Sequence, residues 1–328
     1  MIATDSADEA LRVAIDRVLA GTSRRELAGS SQELSGRYRD PRAGERPVRR
    51  SADAEAYVAA RLPATFTALG QVFAAAAALQ PDFRPESQVD LGAGTGAAAW
   101  AAAARWPGIG RVRLVDRATE MIGLGRRLRE ADPRGPDAEW AWQRADLVEA
   151  RPDPADLVTV SYVLGEVDPV RRVATARAAW AATRGMLAMV EPGTPAGFAV
   201  IREVRRALCD DGAALLAPCP HDRACPMTGS DWCHFAARVQ RSALHRQVKG
   251  ADLSYEDEKF SYVVFTRSPA GRAAARVLRH PRRPPRRIEF AACTRDGLRT
   301  VQVTRSQPAY RTAKKLGWGS ALPPDVLG

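Results

Sequence analysis

The sequence predicts an α/β chain: a doubly wound, Rossmann-like sheet with a cysteine-rich insertion and a small, basic, β-containing C-terminal extension. Three observations predict it. From Ser87 onward strand and helix signals alternate, the pattern of parallel strands buried by crossover helices. The glycine-rich run Val89-Asp90-Leu91-Gly92-Ala93-Gly94-Thr95-Gly96 ends the first strand and opens a helix. Three of the five cysteines fall between Cys219 and Cys233, and the positive charge gathers near the C-terminal end.

Residues 1–55 are polar and helix-prone, with an apolar stripe at Leu11, Ala14, Ile15 and Val18, followed by the charged stretch S-G-R-Y-R-D-P-R-A-G-E-R-P-V-R-R. Another helix is expected over 56–80, started or interrupted at Pro63. The α/β core then runs in order. V-D-L-G precedes an Ala-rich helix over 96–105, and V-R-L-V-D (112–116) precedes a helix over 118–131. Strand signals follow at 141–146, 156–164 and 186–191, with helices over 168–183 and 195–208. Two more strands are read at 213–218 and 260–266. Between them lies the cysteine insertion, 219–258, with a helix expected over Phe235–Lys249. Strand-like alternation in R-R-I-E-F-A-A-C-T and L-R-T-V-Q-V-T indicates a folded C-terminal extension. The chain divides into a helical, basic N-terminal extension (1–60), the Rossmann-like domain with its insertion (61–268) and the extension (269–328).

At 328 residues the chain can bury a large core. Its formal charge of +11 is unevenly placed. Residues 267–315 hold twelve Arg and two Lys against Glu289 and Asp296, so the remainder is close to neutral. Such a block is the electrostatic footprint of a phosphate-backbone surface. Positions 1–20 carry acids and lack a basic, apolar leader pattern, so neither a secretory nor a transit signal is expected. No apolar run is expected to span a bilayer. The expected setting is a bacterial-type cytoplasm, the expected state a monomer.

In the glycine run, Gly92, Gly94 and Gly96 let the backbone turn tightly and approach a ligand, and the helix start favours an anionic group. The string also fits a G-x-G-x-x-A dinucleotide fingerprint. Two acids decide between these. Asp116 ends the second strand, where a carboxylate accepts from both ribose hydroxyls, and Asp146 follows the third, where an acid receives an adenine amino group. Asp90 precedes the turn. As an ordered set these resemble the class I S-adenosylmethionine (SAM) methyltransferases over about residues 85–210. No catalytic base is identifiable. After the fourth strand the chain reads Ser161-Tyr162-Val163-Leu164-Gly165-Glu166-Val167, without the amide clamp of N-P-P-Y enzymes. Glu166 and Glu191 face the cleft by position.

Cys219, Cys225 and Cys233 are spaced C-x5-C-x7-C, and Cys293 follows 60 positions on. Four converging thiolates complete a closed metal or cluster site, and Pro218, Pro220 and Pro226 stiffen its loop. Spacing alone permits tetrahedral zinc as well as iron–sulfur. Cys209 reads as a buried helix residue. The C-x3-C-x2-C loop of radical SAM enzymes is absent from the chain.

The strings V-D-L-G-A-G-T-G, S-Y-V-L-G-E-V, E-P-G-T-P-x-G-F, A-P-C-P-H, D-W-C-H-F and E-D-E-K-F-S-Y-V-V together resemble one family, the methyltransferase-like proteins of the mitochondrial small ribosomal subunit and their bacterial relatives. The likeness spans roughly 85–300. It implies a SAM-type Rossmann domain and a 4Fe–4S cluster on Cys219, Cys225, Cys233 and Cys293, with zinc as the alternative. It further implies action on small-subunit ribosomal RNA or in small-subunit assembly, either as a methyltransferase or as a non-catalytic RNA-binding scaffold. Residues 1–60 carry no such likeness.

Overall fold

The computed structural model describes residues 2–39, 47–131, 138–268 and 270–327. Positions 40–46 of the charged stretch lie outside the described residues, as does residue 269, where the C-terminal extension was expected to begin.

Four helices come first: α1 (Ile2–Val18), α2 (Arg24–Arg39), α3 (Ser51–Ala60) and α4 (Leu62–Leu79). Leu11, Ala14 and Ile15 of α1 are buried, so its stripe faces the core as a 3.6-residue period requires. Pro63 sits in the first turn of α4, where its missing N–H costs nothing. One buried carboxylate fastens α2 to α3. Asp53 accepts from Arg37 Nη2 and Nη1 at 2.8 and 2.9 Å and from the Arg49 and Arg50 amides at 2.9 and 3.1 Å. Burial alone would push this carboxyl up, but the Arg37 guanidinium and those amides hold it well below the usual range.

The α/β core follows as β1 (Ser87–Leu91), α5 (Ala97–Arg105), β2 (Arg111–Asp116), α6 (Thr119–Ala131), β3 (Glu139–Arg144), β4 (Ala155–Ser161), α7 (Pro169–Ala181), β5 (Thr183–Pro192), α8 (Pro195–Asp210), β6 (Ala214–Ala217), β7 (Phe235–Gln240), α9 (Ala243–Lys249) and β8 (Tyr255–Thr266). These strands make one sheet in the order β3-β2-β1-β4-β5-β8-β6, with β7 also paired to β8. β1 to β5 run parallel, while β8 is antiparallel to β5, β6 and β7. The chain winds outward through β2 and β3, then returns to place β4 on the other side of β1. That reversal opens a crevice beyond the carboxyl ends of β1 and β4, where open α/β sheets bind ligands.

Two expectations are corrected here. Residues 235–249 are not one helix: Phe235–Gln240 is a strand. Phe235, Ala237 and Val239 are buried while Arg238 and Gln240 are exposed, a period of two in a strand that pairs with Tyr255–Phe260 of β8. Only Ala243–Lys249 is helical, opened by the Ser242 hydroxyl accepting from the His245 amide at 3.1 Å. The second concerns apolar runs. The 18 residues of α4 carry no charge and are long and apolar enough to cross a membrane. Half of that helix is buried inside the molecule, where Phe66, Leu69, Val72 and Phe73 join the main core with α5.

The remaining elements are β9 (Ala275–Val277), β10 (Arg287–Thr294), β11 (Gly297–Thr304), α10 (Tyr310–Ala313), β12 (Ala321–Leu322) and α11 (Pro324–Leu327). They form a separate four-stranded sheet in the order β11-β10-β9-β12. Its own core joins Ile288, Phe290 and Val303 to Ala313 and Val326. Arg282, Arg283, Arg286 and Arg287 remain exposed beside it.

Candidate functional site

Two pockets gather the chemistry-bearing residues. The first lies in the crevice beyond β1 and β4. The turn after β1 places Gly92, Gly94 and Gly96 at φ of 73°, 55° and 92°, a region that glycine enters without steric cost. The Gly92 and Ala93 amides donate to Val115 O at 2.8 and 3.0 Å, folding the turn back onto β2. Gly94 N then donates to Asp116 Oδ2 at 2.8 Å and Ala118 N to Oδ1 at 2.7 Å. Each carboxylate oxygen thus holds one amide and keeps acceptor capacity for a ligand hydroxyl. Burial raises the Asp116 carboxyl against the pull of these amides, of the Arg117 amide and of the Arg117 charge.

The pocket and the solvent at its open mouth together span about 780 Å³. Gly92, Gly94 and Asp116 line it; Asp90, Gly96 and Asp146 are not among its lining residues. Asp90 sits buried beneath the turn, accepting from the Thr159 hydroxyl at 2.7 Å, and burial pushes its carboxyl up to about 7. Gly96 begins α5. Asp146 accepts from the Val148 amide at 3.0 Å and lies 3.6 Å from Arg117, which lines the pocket and is also 3.7 Å from Glu166.

The segment after β4 is held from below. Glu191, 2% exposed, accepts from the Val163 and Leu164 amides at 3.0 and 2.8 Å and from that of Gly165. Burial pushes Glu191 up to about 7, with those amides opposing. Glu191 therefore shapes the pocket wall without lining the pocket, whereas Glu166 lines it. Sequence reasoning missed the opposite wall. Tyr38, Tyr57 and Thr65 come from α2, α3 and α4, and no local motif marks them, because only the tertiary packing of those helices brings them over the crevice.

The second pocket, about 570 Å³ with its mouth, is lined by all four predicted cysteines. Cys219, Cys225 and Cys233 lie on the segment between β6 and β7, and Cys293 lies on β10. Burial raises the Cys219 and Cys233 thiols and pushes Cys293 up to about 12, with neighbouring cysteines adding to each. His221 Nε2 is 3.7 Å from Cys293 Sγ. Among the described residues no three His, Cys, Asp or Glu are grouped to hold one metal ion. Two buried guanidiniums line the same pocket. Arg205 donates to His221 O at 2.7 Å and Arg276 to Pro218 O at 3.1 Å. Arg205 Nε, Arg276 Nη2 and His221 Nδ1 are buried without a partner. Unpaired buried donors are costly, and here they surround thiols that would become anionic on binding metal.

The cysteine segment is tied to its surroundings on both sides. Ser261 Oγ donates to Cys233 O at 2.8 Å and Trp232 Nε1 to Gly193 O at 2.9 Å. From the segment after β9, Arg279 donates to Trp232 O at 3.0 Å; from the segment before β12, Trp318 Nε1 donates to His234 O at 2.9 Å.

A family model described as mitochondrial small ribosomal subunit Rsm22 matches residues 51–323. The human ribosome assembly protein METTL17, mitochondrial, is 27% identical over 286 residues, covering 81% of this chain and 62% of that protein. The chain therefore spans under two thirds of that relative's length. The Rsm22-cox11 tandem protein 2, mitochondrial, of Schizosaccharomyces pombe is 26% identical over 184 residues, covering 42% of this chain and 24% of that protein. Among solved structures, the magnesium protoporphyrin IX methyltransferase of Synechocystis with bound SAM superposes with a TM-score of 0.40 at 15% identity, covering 76% of this chain and 99% of that one. An O-methyltransferase family protein of Burkholderia thailandensis gives 0.42 at 14%, covering 72% and 63%. The relatives' names correct the cytoplasmic setting expected from the sequence: the family model and these curated relatives are mitochondrial, which points away from a bacterial cytoplasm.

Proposed function

The chain belongs to the mitochondrial small ribosomal subunit Rsm22 family, and from that premise we propose that it is a SAM-binding factor acting on small-subunit ribosomal RNA during assembly of the small subunit. The observation that carries the cofactor reading is the Asp116 carboxylate. It is anchored by the Gly94 and Ala118 amides at the end of β2 and lines the pocket beside the glycine turn. There it would hold the ribose hydroxyls. Asp146, adjacent through Arg117, would meet the adenine edge. The bound cofactor would supply an electrophilic methyl group. The chain's own residues hold and orient it.

The cysteine pocket fits a 4Fe–4S cluster on Cys219, Cys225, Cys233 and Cys293. The four thiols line one cavity, and Arg205 and Arg276, which line it too, offer buried positive charge and unpaired donors to an anionic centre. Zinc, which draws its four ligands onto one ion, is the alternative occupant. In this reading the insertion 219–258 and the extension 269–328 are one working unit, joined through that site and presenting the basic surface to RNA.

A non-catalytic scaffold is the second reading, favoured by the segment after β4. Its amides are committed to Glu191, and it offers no side-chain amide to clamp a base.

RNA affinity tests the partner. Each phosphate neutralised releases counterions, so five to eight contacts should give a log–log salt slope of about −4 to −7. Charge reversal at Arg282, Arg283, Arg286 and Arg287, all exposed, should flatten that slope by several units. A salt-independent affinity would remove the basic face as the RNA surface.

A further inference from the structure

The cysteine segment and the segments flanking the smaller sheet's strands meet through a run of aromatic rings. Trp232 and His234, which flank Cys233, stack with centroids 4.9 Å apart and planes 18° apart. Trp318, before β12, meets His234 edge to face at 5.0 Å, and His280, after β9, meets Trp318 at 5.1 Å and 72°. The inner rings are fixed. His234 is buried, and the indole N–H groups of Trp232 and Trp318 donate to Gly193 O and His234 O, each at 2.9 Å. The outer ring is free. His280 is exposed, and among the described residues its imidazole has no hydrogen-bond or ion-pair partner. Trp318 is its one ring neighbour among those residues, and a single neighbour covers at most one of the two imidazole faces.

The charge beside this free ring is positive. Arg282 and Arg283 follow it after one proline, and both are exposed. Arg283 donates to Lys314 O and Leu316 O at 3.2 and 3.3 Å, which brings exposed Lys314 and the Trp318 segment beside it. Among the described residues none of these three cations pairs with a carboxylate, and the nearby Asp231 is already held by Arg279. Cations alone hold a phosphate backbone whether or not its bases are paired. An exposed ring among them adds a surface for a base, which a duplex keeps inside its own stack. We propose that His280, at the end of the Trp232–His234–Trp318 run, is a stacking site for an unpaired RNA base, with Arg282, Arg283 and Lys314 on the flanking phosphates. The inference rests on the reading of the basic face as an RNA surface, and it narrows the substrate to single-stranded segments. One stacked base is worth roughly tenfold in affinity.

Fluorescence anisotropy of the full chain with a labelled RNA strand of about twelve nucleotides, alone and annealed to its complement, tests this. The single strand should bind about tenfold more tightly than the duplex at equal salt. His280→Ala should close most of that gap, and His280→Phe, which keeps a ring, should reopen it. Charge reversal at Arg282 and Arg283 should instead weaken both forms together, as would a merely structural role for His280. A strand carrying 2-aminopurine reads the stacking itself: its fluorescence should be quenched by the unmodified chain and much less by His280→Ala at saturating protein. Equal or tighter binding of the duplex by the unmodified chain overturns the stacking site but leaves the basic RNA face standing. Polyglutamate bound as tightly as the single strand would make the face a general polyanion surface and overturn the stacking site as well. Binding of neither RNA form overturns both readings.

Discussion

Replacing Cys293 by serine should abolish binding of the metal or cluster proposed for the cysteine pocket and loosen the smaller sheet from the Rossmann-like core. Cys293 sits in β10, opposite Leu298 of β11 and Arg276 of β9, and shares its pocket with Cys219, Cys225 and Cys233 from the other sheet's loop. A centre held by all four would close a chain loop of 60 positions between Cys233 and Cys293. Losing such a link should cost about 2–5 kcal/mol, the scale of a native crosslink. The contacts from Arg279 and Trp318 remain, so the sheet should loosen, not unfold outright. The readouts are metal and sulfide content of anaerobically purified protein, and the rate at which trypsin releases the region after Arg267. The crevice pocket proposed to hold SAM should survive, because none of its lining residues comes from the cysteine segment. Metal content and protease resistance equal to the unmodified protein would refute the clamp.

Gly92→Ala should be the most damaging single change in the glycine turn. A Cβ there would lie 2.6, 2.7 and 2.8 Å from Cγ1, Cγ2 and Cβ of Val163, and the backbone φ of 73° already disfavours a side chain. The conformation costs about 1–2 kcal/mol and the overlap about 1–3 kcal/mol. Val163 cannot retreat easily, since its amide is pinned to Glu191 at 3.0 Å. If the strain is relieved by opening the turn, Gly94 N leaves Asp116, and SAM affinity should fall by roughly thirtyfold or more. Adding Val163→Ala should recover part of the loss by removing the overlap but not the backbone strain. Calorimetry on both variants checks this; an undiminished affinity in Gly92→Ala would contradict the turn's role.

How far these sites were legible follows from where their determinants lie. The parallel strands announced themselves as short apolar runs, and Asp116 and the glycines sit at strand ends, where local pattern and position coincide. Cys219, Cys225 and Cys233 are close in sequence and therefore visible as a group. The strand Phe235–Gln240 was hidden because two adjacent alanines, Ala236 and Ala237, fit a helix equally well; pairing with β8 decides the matter. The uncharged run of α4 was overlooked because its alanines and threonines dilute an otherwise apolar segment. Tyr38 and Tyr57 could not be read at all. Their place over the crevice depends on the buried Asp53–Arg37 link and on α3 packing against α4, which in turn lies beside the sheet, contacts that no local spacing encodes. Glu191 was visible as a cleft acid but not as the anchor of residues 163–165.

The most direct test of a role in small-subunit assembly is the sedimentation profile of ribosomal particles from cells depleted of this protein. Mature small subunits should fall and their precursors accumulate while large subunits persist, with rescue by the unmodified chain and not by Cys293→Ser. An unchanged ratio of small to large subunits after full depletion would contradict the account.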